Sequence, residues 1–259
     1  MADGSNSQPK IAIVSGASSG IGAAAVAHLA RAGFRVFGGA RRLERVQEVT
    51  DPVGGVALAL DVTDPESIDR FVAGVLDHLE TPAVHLLVNN AGGALGLDAV
   101  AEAQDERWRT MWETNVLGSM RMTRALLPAL EASGDGHILS IGSIAGFETY
   151  PGGAGYTAAK HGQRALTRTL RLELIGRPIR ITEIAPGLVD TEFSAVRFDG
   201  DQEKAAKVYE GMTPLLAEDI AECIAWAATR PSHVNIDEMI VRPRDQAAAT
   251  LVHRRPTSE

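Results

Sequence analysis

The sequence predicts a single α/β domain built on a doubly wound parallel sheet of about seven strands, with helices on both faces. Three observations carry that prediction. Short apolar runs alternate with helical patterns from end to end, the βαβα rhythm of a parallel sheet covered on both sides. No internal repeat interrupts the rhythm, and no linker rich in Pro, Gly or Ser marks a second domain. The 259 residues are 45% hydrophobic and 22% charged, an ordinary globular composition that buries a large core without disulfides.

Taken in order, the apolar run Lys10–Ser15 is a first strand, and Ile21–Ala32 is the helix after it. Arg35–Ala40 is a second strand, followed by a short helix over Leu43–Thr50. Val56–Val62 is a third strand, with a helix from Pro65 to about Leu79. His85–Asn89 is a fourth, and Glu106–Ala132 is one long helical pattern with a bend expected near Pro128. His137–Ser140, Gly155–Ile175 and Ile179–Ile184 continue as strand, helix and strand, ending at Pro186-Gly187. A polar stretch, Asp190–Thr213, breaks the alternation before the helix Ala217–Thr229 and the last strand Glu238–Val241. The expected division is a disordered leader over 1–9, one domain over 10–249 with a substrate lid around 190–213, and a polar tail over 250–259.

Charge and composition exclude several classes. The net charge is -8 and no sustained basic run occurs, which argues against nucleic acid as a partner. The single cysteine, Cys223, excludes disulfides within the chain and reads as a buried small hydrophobe. Met1–Gln8 lacks the apolar segment of a signal peptide, and no apolar run reaches the length of a membrane span. A cytoplasmic protein is therefore expected. His28, His78, His85, His137, His161, His233 and His253 show no metal-ligand spacing and read as surface or packing residues.

Gly16-Ala17-Ser18-Ser19-Gly20-Ile21-Gly22 lies between the first strand and the first helix. Glycines there let the chain turn tightly against a pyrophosphate, while the helix N-terminus offers unpaired N–H groups and a positive dipole end. The context makes this a dinucleotide site on a Rossmann-type sheet, although the spacing is G-x-x-x-G-x-G rather than G-x-G-x-x-G. At the end of the second strand, where an NAD site places a carboxylate, stand Arg41 and Arg42. Their forked, permanent charge suits a 2′-phosphate, so NADP(H) is the expected cofactor, with Arg41 the better placed of the two. Further on, Tyr156 and Lys160 are four residues apart, hence one turn apart on one helix face. A nearby ammonium favours the tyrosinate, and such a phenol can exchange a proton with an alcohol oxygen near neutral pH.

Together these residues resemble the short-chain dehydrogenase/reductase family from Lys10 to about Val241. Ser15–Gly22 is similar to the family's T-G-x-x-x-G-I-G, with Ser15 for the usual threonine. Asn89-Asn90-Ala91-Gly92 is similar to its N-N-A-G segment, and Pro186-Gly187 with Thr191 to the segment over the nicotinamide carboxamide. Within the family the chain most resembles NADP-dependent 3-hydroxy acid dehydrogenases, on Asn89–Asp98, Ile141–Gly146, Tyr150–Gly153, Pro186–Gly200 and Ala228–Ile236. It departs from them at Arg242-Pro243-Arg244 and in the length beyond Ala249.

The resemblance implies roles. Ser143 would hold the substrate oxygen beside Tyr156, the acid in reduction and base in oxidation. Lys160 would lower the Tyr156 pKa and grip the nicotinamide ribose, and Asn115 would organise a water behind Lys160. Cofactor contacts are implied for Gly16, Ser18, Ser19, Gly20, Ile21, Gly22, Asp61, Val62, Asn89, Ala91, Gly92, Pro186, Gly187, Val189 and Thr191. They are also implied for Tyr156 and Lys160. No metal is needed, and a homotetramer or homodimer is implied. Alternatives stand beside some roles: Ser143 could satisfy a strand-end backbone group, and Asp61 could cap the next helix. Arg197, in the lid, would either bind a substrate carboxylate or pair with Asp199 or Asp201. The function expected is interconversion of an alcohol and a carbonyl on a small 3-hydroxy acid. The alternatives are a reductase of a bulkier ketone and a non-catalytic NADP-binding regulator.

Overall fold

A computed structural model describes residues 9–256; the leader expected over Met1–Gln8 and the end of the tail lie outside the described residues. Strand β1 (Lys10–Ser15) feeds helix α1 (Gly20–Arg31), and β2 (Phe34–Ala40) feeds α2 (Leu43–Thr50). β3 (Val56–Ala59) is followed by α3 (Pro65–Asp77) and β4 (Leu86–Asn89). Next come α4 (Asp105–Trp112), a π turn (Glu113–Leu117), α5 (Gly118–Ala132) and β5 (Gly136–Ile141). After α6 (Ala154–Glu173) and β6 (Ile179–Pro186), two short strands, β7 (Val189–Asp190) and β8 (Leu215–Leu216), bracket α7 (Glu192–Arg197) and α8 (Gln202–Lys207). Helix α9 (Ala217–Ala228) and β9 (Glu238–Val241) follow.

Seven strands form one parallel sheet in the order β3-β2-β1-β4-β5-β6-β9, the doubly wound sheet the sequence predicts. Successive strand side chains face opposite sides. Val14, Val36 and Val88 pack toward α1, α2 and α9, while Ile13, Phe37 and Leu87 pack toward α3, α5 and α6. Each such fully buried side chain contributes roughly 1.5–3 kcal/mol. The winding reverses between β1 and β4, and there a crevice opens beyond the carboxyl ends of the strands.

Three elements differ from expectation. β3 stops at Ala59 instead of Val62, because its only neighbour, β2, ends at Ala40 directly opposite. The long helix departs from α geometry at Glu113–Leu117 and not at Pro128, which sits inside α5. There the Asn115 side-chain amide donates to the Met111 carbonyl at 2.7 Å, inserting into the i→i−4 ladder. The polar stretch 190–213 is not a plain loop: it holds α7 and α8, capped by Thr191 and Asp201. Cys223 is half-buried against the α1–α9 layer.

Candidate active site

The turn between β1 and α1 depends on its glycines. Gly16 and Gly20 have φ of 70° and 54°, the left-handed region that favours glycine. A Cβ on Gly22 would run into the Gly16 carbonyl and the Asn90 amide. Ser15 shows why the hydroxyl matters at its position. Its Oγ donates to Val88 O at 3.2 Å and accepts from the N–H groups of Asn90 and Ala91, both at 3.1 Å. The Asn90 amide donates to Ser15 O and Gly16 O at 2.9 and 3.2 Å, so the end of β4 braces the turn.

This turn floors a cleft of about 790 Å³ that runs along the strand ends to helix α7 and Tyr209. Gly16, Ser18, Ser19, Gly20 and Ile21 line it, as do Arg41, Arg42, Asp61 and Val62. So do Ala91, Gly92, Ser143, Tyr156 and Lys160, and on the far wall Pro186, Gly187, Val189, Thr191 and Arg197. Three expected residues do not face it. Gly22 lies one step inside α1, where its role is close packing. Asn89 corrects the expectation of a cofactor contact: adjacent strand residues face opposite ways, and its buried amide donates to Thr123 Oγ1 at 3.0 Å. Its neighbour Asn90 lines the cleft. Asn115 is also fully buried; it clamps the loop after β4 by accepting from Gly93 N at 3.2 Å and donating to Gly93 O at 2.9 Å.

At one end of the cleft Arg42 is held down. It donates to Ser18 Oγ and Ser19 Oγ at 3.1 and 2.9 Å and pairs with Glu192 of α7 at 2.9 Å. Glu192 also pairs with Arg45 at 2.7 Å. Arg41 has no hydrogen bond or ion pair among the described residues, so its guanidinium is the free one. Asp61 does not cap α3; Asp64 does, accepting from Glu66 N at 3.0 Å. Burial would push the Asp61 carboxyl up, but bonds from Thr63 at 2.9 and 2.7 Å and the charge of Arg41 hold it below its ordinary value.

At the other end, β5 delivers Ser143 just past its last residue. Ser143 Oγ accepts from Ala145 N at 3.1 Å, the backbone service foreseen for it, and stands close enough to Tyr156 to favour its ionised form. The Tyr156 ring meets Phe193 of α7 edge-on at 5.6 Å. Lys160 donates to Ile141 O at 2.9 Å and to Gln163 Oε1 at 2.8 Å. Its Nζ lies 5.9 Å from the Tyr156 ring centroid. The expected lowering of the Tyr156 pKa by Lys160 is not seen. Burial dominates and pushes the phenol well above its ordinary value, with Tyr150 adding to the rise and Ser143 and Arg197 opposing it. Burial likewise pushes Lys160 down to about 8, against the charge of Glu183.

Helix α7 supplies Arg197. Its Nε donates to Gly96 O at 3.0 Å and Nη1 to Tyr150 Oη at 3.1 Å, and its guanidinium stands 5.8 Å from the Tyr156 ring centroid. Nη2 is buried with no hydrogen-bond partner among the described residues. Asp199 pairs instead with Arg107 at 2.8 Å and Asp201 with Lys204 at 3.2 Å, so the alternative expected for Arg197 does not form. The tail folds back over this region. Gln246 Oε1 accepts from Leu188 N at 2.9 Å, Asp245 pairs with Arg255 at 2.6 Å, and Arg254 donates to the carbonyls of Val208 and Glu210. Arg242, one of the unexpected cations, pairs with Glu148. Ala249 and Thr250 reach the cleft. Sequence reasoning missed Asn90, Tyr150, Gln163 and Gln246. Asn90 and Tyr150, each inside a stretch that carries the family resemblance, had a signal; Gln163 and Gln246 had none.

A doubly wound sheet whose crevice joins a glycine turn at a helix N-terminus to a buried tyrosine and lysine defines the class: a dinucleotide-dependent oxidoreductase. Residues 10–202 match the family model described as short chain dehydrogenase, and the chain belongs to that family. It is 56% identical over 241 residues to an uncharacterized oxidoreductase of Mycobacterium tuberculosis (strain ATCC 25618 / H37Rv), covering 93% of this chain and 94% of that one. It is 43% identical over 248 residues to the NADP-dependent 3-hydroxy acid dehydrogenase YdfG of Salmonella typhi, covering 94% and 99%. The solved structure of the closed form of serine dehydrogenase complexed with NADP+ superposes with a TM-score of 0.87 at 41% identity, covering 95% of this chain and 100% of that one.

Proposed function

We propose that this chain interconverts a small 3-hydroxy acid and the matching 3-oxo acid with NADP(H). The carrying observation is the buried, unpartnered Nη2 of Arg197, in the same cleft as Tyr156. A guanidinium with a free donor beside the reacting phenol is suited to a carboxylate.

The cleft also fits the cofactor. The glycine turn leaves no room for a Cβ at Gly16 or Gly22, α1 begins there, and Arg41 is free to meet a 2′-phosphate. When bound, NADPH supplies the hydride. The protein's own part is positional and protonic. Gly16, Ser18, Ser19, Gly20, Ile21, Asp61, Val62, Ala91 and Gly92 hold the nucleotide, while Pro186, Gly187, Val189 and Thr191 close its far side. Ser143 holds the substrate oxygen, and Tyr156 donates its phenolic proton to that oxygen in reduction. The Lys160 ammonium stabilises the tyrosinate left behind.

Initial rates on L-serine, L-allo-threonine and 3-hydroxypropionate with NADP and with NAD test the reading. Turnover with NADP and little with NAD is expected. Arg197→Ala should raise KM for the acid about 10- to 100-fold, the cost of losing bonds to a charged group, with less effect on a neutral ketone. Equal effects on both would sink the carboxylate anchor, and turnover of bulky ketones alone would replace the substrate class.

Among the described residues no helix is long and apolar enough to cross a membrane. A cytoplasmic location belongs to the same reading. So does a homotetramer or homodimer joined through α4 and α6, whose Trp108, Trp112 and Leu172 are exposed. Light scattering of the purified protein checks the assembly.

A further inference from the structure

Behind Lys160, away from the cleft, lies a buried polar chain that the proposed function leaves unused. Lys160 Nζ donates to Gln163 Oε1 at 2.8 Å, Gln163 Nε2 donates to Ser119 Oγ at 3.1 Å, and Ser119 Oγ donates to Asn115 O at 2.9 Å. All four residues are buried, Gln163 to 1% exposure and Lys160 to 5%. Every bond points inward and the chain ends on a backbone carbonyl.

We propose that Gln163 is a positioning residue: it fixes the Lys160 ammonium from the protein interior and favours its charged form. Two of the three ammonium donors are committed, to Gln163 Oε1 and Ile141 O, which leaves one for the cleft side. The titratable groups facing Lys160 are Tyr156 on its own helix and Glu183 on β6; α5 and the π turn present Ser119 and Asn115. Burial alone disfavours the ammonium, so an acceptor at this position sets how much charge survives at working pH.

The inference rests on the proposed role of Tyr156 and Lys160, and its test is made independent of that role. The chain has four lysines, Lys10, Lys160, Lys204 and Lys207, so NMR of protein labelled at the lysine side chains follows Lys160 directly, without cofactor or substrate. Gln163→Leu, close in volume but without an acceptor, should lower the Lys160 midpoint by about one to two pH units, the size expected for a bond to a charged donor. Gln163→Glu should raise it. Ser119→Ala, which frees the Gln163 amide, should lower it less and serves if the leucine variant fails to fold. A Lys160 midpoint that stays put, or moves the same way in the leucine and glutamate variants, overturns the proposal. Tyr156→Phe, assayed for NADPH oxidation, reports separately on the proton donor. If it retains full activity the catalytic reading falls, while the titration still decides the role of Gln163.

Discussion

Tyr156 and Lys160 are pushed by burial in opposite directions, the phenol up and the ammonium down, and both shifts favour the neutral side chain. For reduction this arrangement has a clear pH signature. The phenol keeps its proton throughout the neutral range. The Lys160 ammonium, needed to stabilise the tyrosinate left after proton donation, is present below about 8 and lost above it. The rate constant for carbonyl reduction should therefore hold level up to about that pH and fall beyond it, while alcohol oxidation should rise with pH. Steady-state kcat profiles in the two directions check this, and a reduction rate that climbs through the same range would contradict it. At this scale the sequence was informative where a side chain does one job at a fixed spacing, as with Ser143, Tyr156 and Lys160. It was silent where facing decides, as with Asn89 and Asn90, because spacing names two neighbours without saying which points into the crevice.

Strands buried on both faces announce themselves as apolar runs, and six of them are easily read. The exceptions have physical causes. β3 loses its last residues because its neighbour runs out, a fact of pairing rather than of composition. Helices α7 and α8 are six residues each and too short to carry an apolar stripe, so a polar stretch was all the sequence could display. The π turn comes from one side-chain bond by Asn115 that no periodicity encodes. Paired strands also set a stability property. His137 on β5 faces Thr182 on β6 at 2.8 Å, and burial, reinforced by Arg180, pushes its imidazole down to about 3. The unfolded chain binds a proton there below about 6.5 that the folded chain refuses, so stability falls as pH drops from that value toward 3. Chemical unfolding of His137→Asn should show a shallower loss across that window. A variant as acid-sensitive as the parent would place the sensitivity elsewhere.

At the scale of the molecule, the segment after α8 and the end of the described chain are tied together. Arg254 and Arg255 hold the carbonyls of Val208, Glu210 and Gly211 or the carboxylate of Asp245, and Thr250 reaches the cleft beneath them. Removing residues 250–259 should raise KM for the substrate several-fold, leave NADPH affinity near its starting value, and speed proteolysis within 192–213. Steady-state kinetics, a cofactor titration and limited proteolysis read the three in turn. On the opposite rim, Glu192 ties α7 to Arg42 and Arg45. A 2′-phosphate held at the neighbouring Arg41 would also attract Arg42, which lines the cleft beside it, in competition with this carboxylate. By linkage, whatever factor phosphate binding applies to the seating of α7, that seating applies to phosphate affinity in return. On the proposed reading, a group at the adenine end of the cofactor would thus bear on how α7 sits over the substrate's end of the cleft.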